Sequence, residues 1–595
     1  MSAAPAGPGR ADAPADAPAV AAGTVASRPW PKVGRLRRWG PVVLIVGALV
    51  AAGTVATVRT PGARSSATAP ATTTRLPVTY QDARSTGTLA HYRFGSGCDP
   101  ATGRLKMPLL GAPPCVPVVG GSNGGSTTGG VTGTTVTVVY YLPAPGDLTS
   151  LLPGATDPPA VTISMARSYV AMLNHTVELY GRHVVLVPYQ GTGLSDDPVA
   201  GRADAVNVAE SLHAFASIGG PAQTPAYQDQ LARKHVLCIG CGLSVPYADY
   251  AQDAPYLWGT LPTPDTLLNE AFGFAVAQLL GKDAIYAGDP AMRTRKRTFA
   301  VVSYEQDPPV FGNLSKQLTA KYGPLGLHPV DTESYLLNLA ELPSEAATIA
   351  AHLKRSGATT VAFAGDPIMP IYLTKAAAAI GYHPEWVVTG TVFTDTAAIG
   401  RYYDQSEWSH AFGTSSLAVP LPPSQSAARS LYRWYYGTEP PGQTAGVLLP
   451  PLLLLFNGLE LAGPDLTAAS FGAGMFNLPP YGGGPTAPLV AFGPRGAQPR
   501  PSYSSPADYT VLWWDATATG PDEEGHQGTG LYEYADGGKR YPSTVAPTGD
   551  IGLFDPATSV ASFPVAPPSD RAPSYPPWPG SPTAGTSGGA GGAGA

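Results

Sequence analysis

Four cysteines stand in two local pairs, Cys98 with Cys115 and Cys238 with Cys241, and their chemistry depends on the compartment they meet. In an oxidising one the first pair reads as a disulfide closing CDPATGRLKMPLLGAPPC, a loop with too few large apolar residues to hold its own shape. The CIGC pair fits a redox dithiol, half of a zinc site or a short structural disulfide. No second CxxC or nearby His cluster completes a metal site, and the motif ends a β-rich run instead of opening a helix. Cys238 and Cys241 are therefore counted as a disulfide, with the zinc and redox roles as alternatives. Zinc-hydrolase and Walker patterns (HExxH, GxxxxGK[ST]) do not occur. The acid runs at Ser195, Asp196 and Asp197 and at Asp522, Glu523 and Glu524 are of the kind found on solvated turns. The ten histidines are scattered, with His183 and His235 just before strands, where capping is the ordinary role. No enzymatic activity, cofactor or metal is expected.

The elements around these residues place them outside the cytoplasm. Between Arg38 and Arg59 no residue is charged, and the apolar run Trp39 to Val58 has the length a helix needs to cross a hydrocarbon core of about 30 Å. Lys32, Arg35, Arg37 and Arg38 precede it, so the positive-inside rule keeps the N-terminus in the cytoplasm and everything after Val58 outside. The expected state is a single-pass anchor. A cleavable signal is the alternative, since Ala51, Ala52, Gly53 and Ala56 supply small residues, and the chain would then be secreted.

Charged residues make up 13% of the 595, against 70 Gly and 65 Pro, a loop-rich balance suited to export. A net charge of -6 provides no basic field for nucleic acid. Composition divides the chain into a disordered cytoplasmic tail (1–38), the spanning segment (39–58), a flexible spacer (59–85), a disulfide-closed leader (86–133), a folded domain (134–564) and a disordered tail (565–595).

Within the folded domain β-rich runs alternate with helical ones. TTVTVVYYL, HVVLVPYQ, AFASIGG and VLCIGC read as strands separated by helices; after the long helix TLLNEAFGFAVAQLLG a second set begins, TFAVVSYE, HPVDTESYLL, TTVAFAG and EWVVTG. The expectation is an α/β protein of two similar lobes with parallel sheets. VLLPPLLLLFNGLELAG is membrane-like in composition, but Pro450 and Pro451 interrupt it, so a buried helix is expected.

This order of elements resembles the type I periplasmic-binding fold, in particular the branched-chain amino-acid (Leu/Ile/Val) type of substrate-binding protein of ABC transporters, over roughly residues 130–480. GRHVVLVPYQGTGLSDDPVAGRADAVNVAE, PYLWGTLPTPDTLLNEAFGFAVAQLLG and NGLELAGPDLTAASFGAGMF carry the likeness. The Cys98–Cys115 loop with NGGSTTGGVTGTTVTVVYY resembles a leader of extracytoplasmic actinobacterial members. The resemblance implies two Rossmann-like lobes joined by a hinge, closing on a small polar solute, an amino acid or amide, for delivery to permease subunits; a ligand-sensing receptor ectodomain is the alternative. It also implies that strand-end loops hold the solute: Gly219, Gly220, Gln223, Thr224, Tyr227 and Ser244 in the first lobe, and Glu305, Gln306, Asp366, Thr391 and Phe393 in the second. The family's Asp-x-x-Tyr-Gly after the fifth strand is replaced by EQDPPVFG, which shifts an aromatic role to Phe311.

Overall fold

The computed structural model describes residues 76–147, 157–305 and 307–581. The segment 39–58, the tail before it and Gln306 lie outside the described residues. The leader holds α1 (Tyr80–Ser85) and the hairpin β1 (Cys98–Asp99) and β2 (Arg104–Leu105), closed by the Cys98–Cys115 disulfide. The last residues assigned to the spacer thus form a helix, capped by the Thr79 side chain.

The first lobe runs β3 (Thr135–Leu142), α2 (Pro159–Thr176), β4 (His183–Gln190), α3 (Pro198–Glu210), β5 (Ala216–Ile218), α4 (Ala226–Arg233), β6 (Leu237–Ile239), α5 (Tyr247–Gln252) and β7 (Leu257–Trp258). Its sheet is parallel throughout, in the order β4-β3-β5-β6-β7. The chain then crosses through α6 (Pro264–Phe274) into β8 (Phe299–Tyr304), α7 (Val310–Tyr322), β9 (Asp331–Tyr335), α8 (Leu342–Ser356), β10 (Thr360–Ala364), α9 (Met369–Ala379), β11 (Glu385–Val388) and β12 (Ala411–Ser415). It returns to the first lobe for α10 (Ala427–Tyr436), α11 (Ala445–Ala462) and α12 (Ala468–Asn477), and ends in the second with β13 (Asp508–Pro521), β14 (Gln527–Tyr534) and β15 (Tyr541–Pro542).

The second sheet repeats the first, β9-β8-β10-β11-β12 all parallel, then departs from the expected pattern: β13 and β14 extend it antiparallel beyond β12. In both sheets the strand order reverses beside the first strand, which opens a crevice at the carboxyl ends of β3 and β5 and of β8 and β10.

Among the described residues α11 alone is long and apolar enough to cross a membrane, and 78% of it is buried within the protein. It packs against α2 and the sheet, with Leu448, Leu452 and Phe456 in one core with Val138, Met165 and Ile239. The prolines do not interrupt it. Pro450 and Pro451 leave the carbonyls of Gly446 and Val447 without helical donors, and both residues are exposed to solvent.

Residues 565–581 differ from the expected disordered tail. Trp578 stacks on Tyr435 at 5.3 Å and meets Trp434 edge-on, while the Tyr575 hydroxyl donates to Asp99 at 2.8 Å. Asp570, accepting from Thr486 N–H (2.7 Å), adds a further tie to this proline-rich segment.

The second lobe is tied at the amino ends of its strands by a sealed ion pair. Arg297 donates twice to Glu385, at 2.7 and 2.8 Å, and the Thr360 hydroxyl and Tyr286 N–H complete the carboxylate. Both side chains are within 2% of full burial. Arg297→Met leaves Glu385 as an uncompensated buried charge and should cost about 3–5 kcal/mol in chemical denaturation, whereas adding Glu385→Leu should recover most of it. Equal losses in single and double variants would show that the pair is not coupled.

Candidate functional site

The carboxyl ends of the first lobe's strands are rich in hydroxyls and carboxylates, and most are already engaged. Asp204 of α3 accepts the hydroxyls of Tyr141 (2.9 Å), Tyr189 (2.7 Å) and Thr192 (2.7 Å). Gly219 takes φ +76°, and a Cβ on Gly220 would lie 2.8 Å from the Tyr227 ring, so these glycines answer to packing. Tyr227 itself is core, 1% exposed, its hydroxyl bonded to Ser217.

In the second lobe the side chains of two of the expected residues hydrogen-bond within the fold. Asp366 accepts the Tyr335 hydroxyl together with the N–H groups of Ile368 (2.7 Å) and Met369 (3.1 Å), which braces the turn leading into α9. Thr391 donates to Gly365 O (2.9 Å) and accepts from Gly365 N–H (3.0 Å), stapling the ends of β10 and β11. Phe393 is half-buried at φ +63°, away from the crevice between the lobes. Glu305 is fixed through its backbone N–H to Tyr335 O (2.8 Å) and does not line that crevice either. Phe311, given an aromatic role by the sequence, is core.

The crevice is narrow in this structure, with about 20 Å³ open to a water-sized sphere. Gln223, Thr224 and Ser244 are among the residues lining it; Gln228, Asp249, Pro308 and Val310 join them, the last two from the second lobe. Gln228 stands in the first turn of α4, four residues after Thr224 in the preceding loop, beyond where a reading of strand ends stops. Asp249 sits in the first turn of α5, within PYADYAQD, where the sequence shows no periodicity. The Cys238–Cys241 bond closes the turn after β6 that leads to Ser244.

The electrostatics of this edge are acidic. Burial, then Asp229, Asp253 and Asp265, push the Asp249 carboxyl up to about 6. Asp229 is likewise pushed up to about 6, by burial and by Asp253, with Arg233 opposing. Across the lobes, burial followed by Asp366 and Asp196 pushes the Tyr304 hydroxyl up to about 12.

A family model described as "Periplasmic binding protein" matches residues 160–507, more than half of the chain. No curated protein matches it. Solved structures with similar folds include the solute-binding protein of an ABC transporter from Rhodopseudomonas palustris HaA2 in complex with p-hydroxybenzoic acid (12% identity, TM-score 0.48, 69% of this chain and 97% of that one). Another is the leucine-, isoleucine-, valine-, threonine- and alanine-binding protein from Brucella ovis (14% identity, TM-score 0.47, 71% and 100%).

Asp366→Ala removes the brace of the turn before α9 and strands the buried Tyr335 hydroxyl. The expected loss is about 2–4 kcal/mol by urea denaturation, with affinity for any bound solute unchanged within about twofold. A large affinity loss at unchanged stability would return Asp366 to the binding site.

Proposed function

The chain belongs to the periplasmic binding protein family, and on that footing we propose that it captures a small polar solute between its lobes outside the cytoplasm and presents it to the permease of an ABC transporter. The observation that supports this reading is the composition of the interlobe crevice: Gln223, Gln228 and Ser244 from the first lobe face Pro308 and Val310 from the second. A solute touching both sets links the lobes, so binding and hinge closure favour one another. At the neighbouring strand ends Asp204, Asp366 and Thr391 hydrogen-bond to the chain itself.

Anchoring through residues 39–58 belongs to the same proposal. A tether would keep the binding domain beside its membrane partner, and the spacer 59–75 would set its reach.

A thermal-shift screen of the full chain against amines, amino acids, amides and aromatic acids tests the function. A solute at 100 times its Kd, bound only by the folded state, adds about 2.7 kcal/mol and raises Tm; the same solute should reduce the radius of gyration in solution scattering. No shift with any class would end the solute-binding reading. For the anchor, N-terminal sequencing of membrane-fraction protein should find the residues before Trp39 intact; a mature end after Val58 would remove the tether and leave export standing.

A further inference from the structure

The crevice has a polarity that narrows the solute class, an inference that rests on the solute-binding reading. Its one charged lining residue is Asp249, and neither Lys nor Arg lines it. Gln228, only 3% exposed, lines the crevice with no hydrogen bond to its side chain among the described residues. A methyl on Gly242 would come within 3.3 Å of Gln228 Oε1, so the glycine leaves that acceptor uncovered.

Helix N-termini are the usual answer to an anionic ligand in such folds, and here the first N–H of each is engaged within the chain. The three helices that reach the crevice, α4, α5 and α7, have Pro225, Pro246 and Pro309 at their caps. The first helical N–H of each is already bonded: Ala226 to Thr224 Oγ1 (3.3 Å), Tyr247 to Asp265 Oδ2 (2.8 Å) and Val310 to Pro308 O (2.9 Å). A solute carboxylate would meet Asp249 and prolines. A bound metal is no substitute, because no cluster of metal-binding geometry exists among the described residues.

We propose that the solute is a small organic cation, an alkylammonium without a free carboxylate, with Asp249 as its counter-charge, Gln228 as its hydrogen-bond acceptor and Pro308 and Val310 against its hydrocarbon. The charged groups facing Asp249 are Asp229, Asp253 and Asp265, and Arg233 acts on the first two of these. With the Asp249 carboxyl at about 6, affinity for a cation is full above that pH and falls as the carboxylate protonates, about tenfold between pH 7.5 and 5.

Isothermal titration of the full chain with n-butylamine and 1,4-diaminobutane, beside leucine, valeramide and 4-hydroxybenzoate, tests it. Amines should bind and the zwitterion and anion should not. Asp249→Asn should lower amine affinity at least tenfold and abolish its pH dependence while its melting temperature stays at or above that of the parent. Gln228→Leu should weaken binding without altering the pH profile. Tighter binding of leucine, valeramide or 4-hydroxybenzoate, or amine affinity indifferent to Asp249→Asn and pH, would overturn the cation assignment and leave solute binding intact. Failure of every class would instead remove the solute-binding reading on which it stands.

Discussion

Burial of one helix fixes how the chain must be threaded. The first lobe's parallel sheet has an apolar face, Val136, Val138, Ile218 and Ile239 among it, that α2 only partly covers. The rest is covered by α11, whose leucines arrive in sequence only after the whole parallel part of the second lobe has been made. Exposing that helix would put a membrane-like stretch in water, so the first lobe is complete only when the chain returns to it. The two lobes are consequently interleaved and cannot be separate modules.

Interleaving creates the hinge. The chain passes between lobes at 259–263, at 416–426 and at 478–507, and these passages bond to one another: Gly259 N–H to Tyr503 O (3.0 Å), and Val419 N–H to Pro485 O (2.9 Å). The segment past residue 563 is a fourth passage. It leaves the second lobe where Phe563 N–H meets Pro420 O (3.0 Å), ties Asp570 to Thr486 N–H (2.7 Å), and ends on the first lobe at Tyr435 and the leader at Asp99. A strap fixed at both ends restricts how far the lobes can part, and it makes the leader disulfide part of the first lobe's outer frame.

Much of this was legible in the sequence because periodicity is a local property. TVTVVYYL and the helices flanking it could be little else, and the repetition of strand and helix exposed the two halves. The features that escaped depend on partners distant in sequence. β13 and β14 are antiparallel additions whose reading requires β12, about 95 residues earlier, as template. The closing tail is ordered by Trp578 finding Tyr435, a match that composition cannot register. At the site, the rule that ligands gather after parallel strands located Gln223, Thr224 and Ser244, but it stops at the strand end. Gln228 and Asp249 stand inside the helices beyond those loops, and Pro308 and Val310 enter only because the lobes face each other.

Degree of satisfaction separates the acids that hold the fold from the one facing the crevice. Asp204 accepts three hydroxyls and the Thr192 N–H, and Asp366 one hydroxyl and two N–H groups, so both are largely engaged within the fold. Asp395 retains an oxygen without a partner, yet at 1% exposure it lines no opening. Asp249 differs on both counts: it reaches the crevice, and no side-chain hydrogen bond occupies it. Three neighbouring aspartates raise the cost of its charge, and Arg233 attends to two of them instead. A carboxylate kept under repulsion beside an open crevice is stabilised most by a cation that enters from outside, and that relief is largest when the lobes close over it and exclude water.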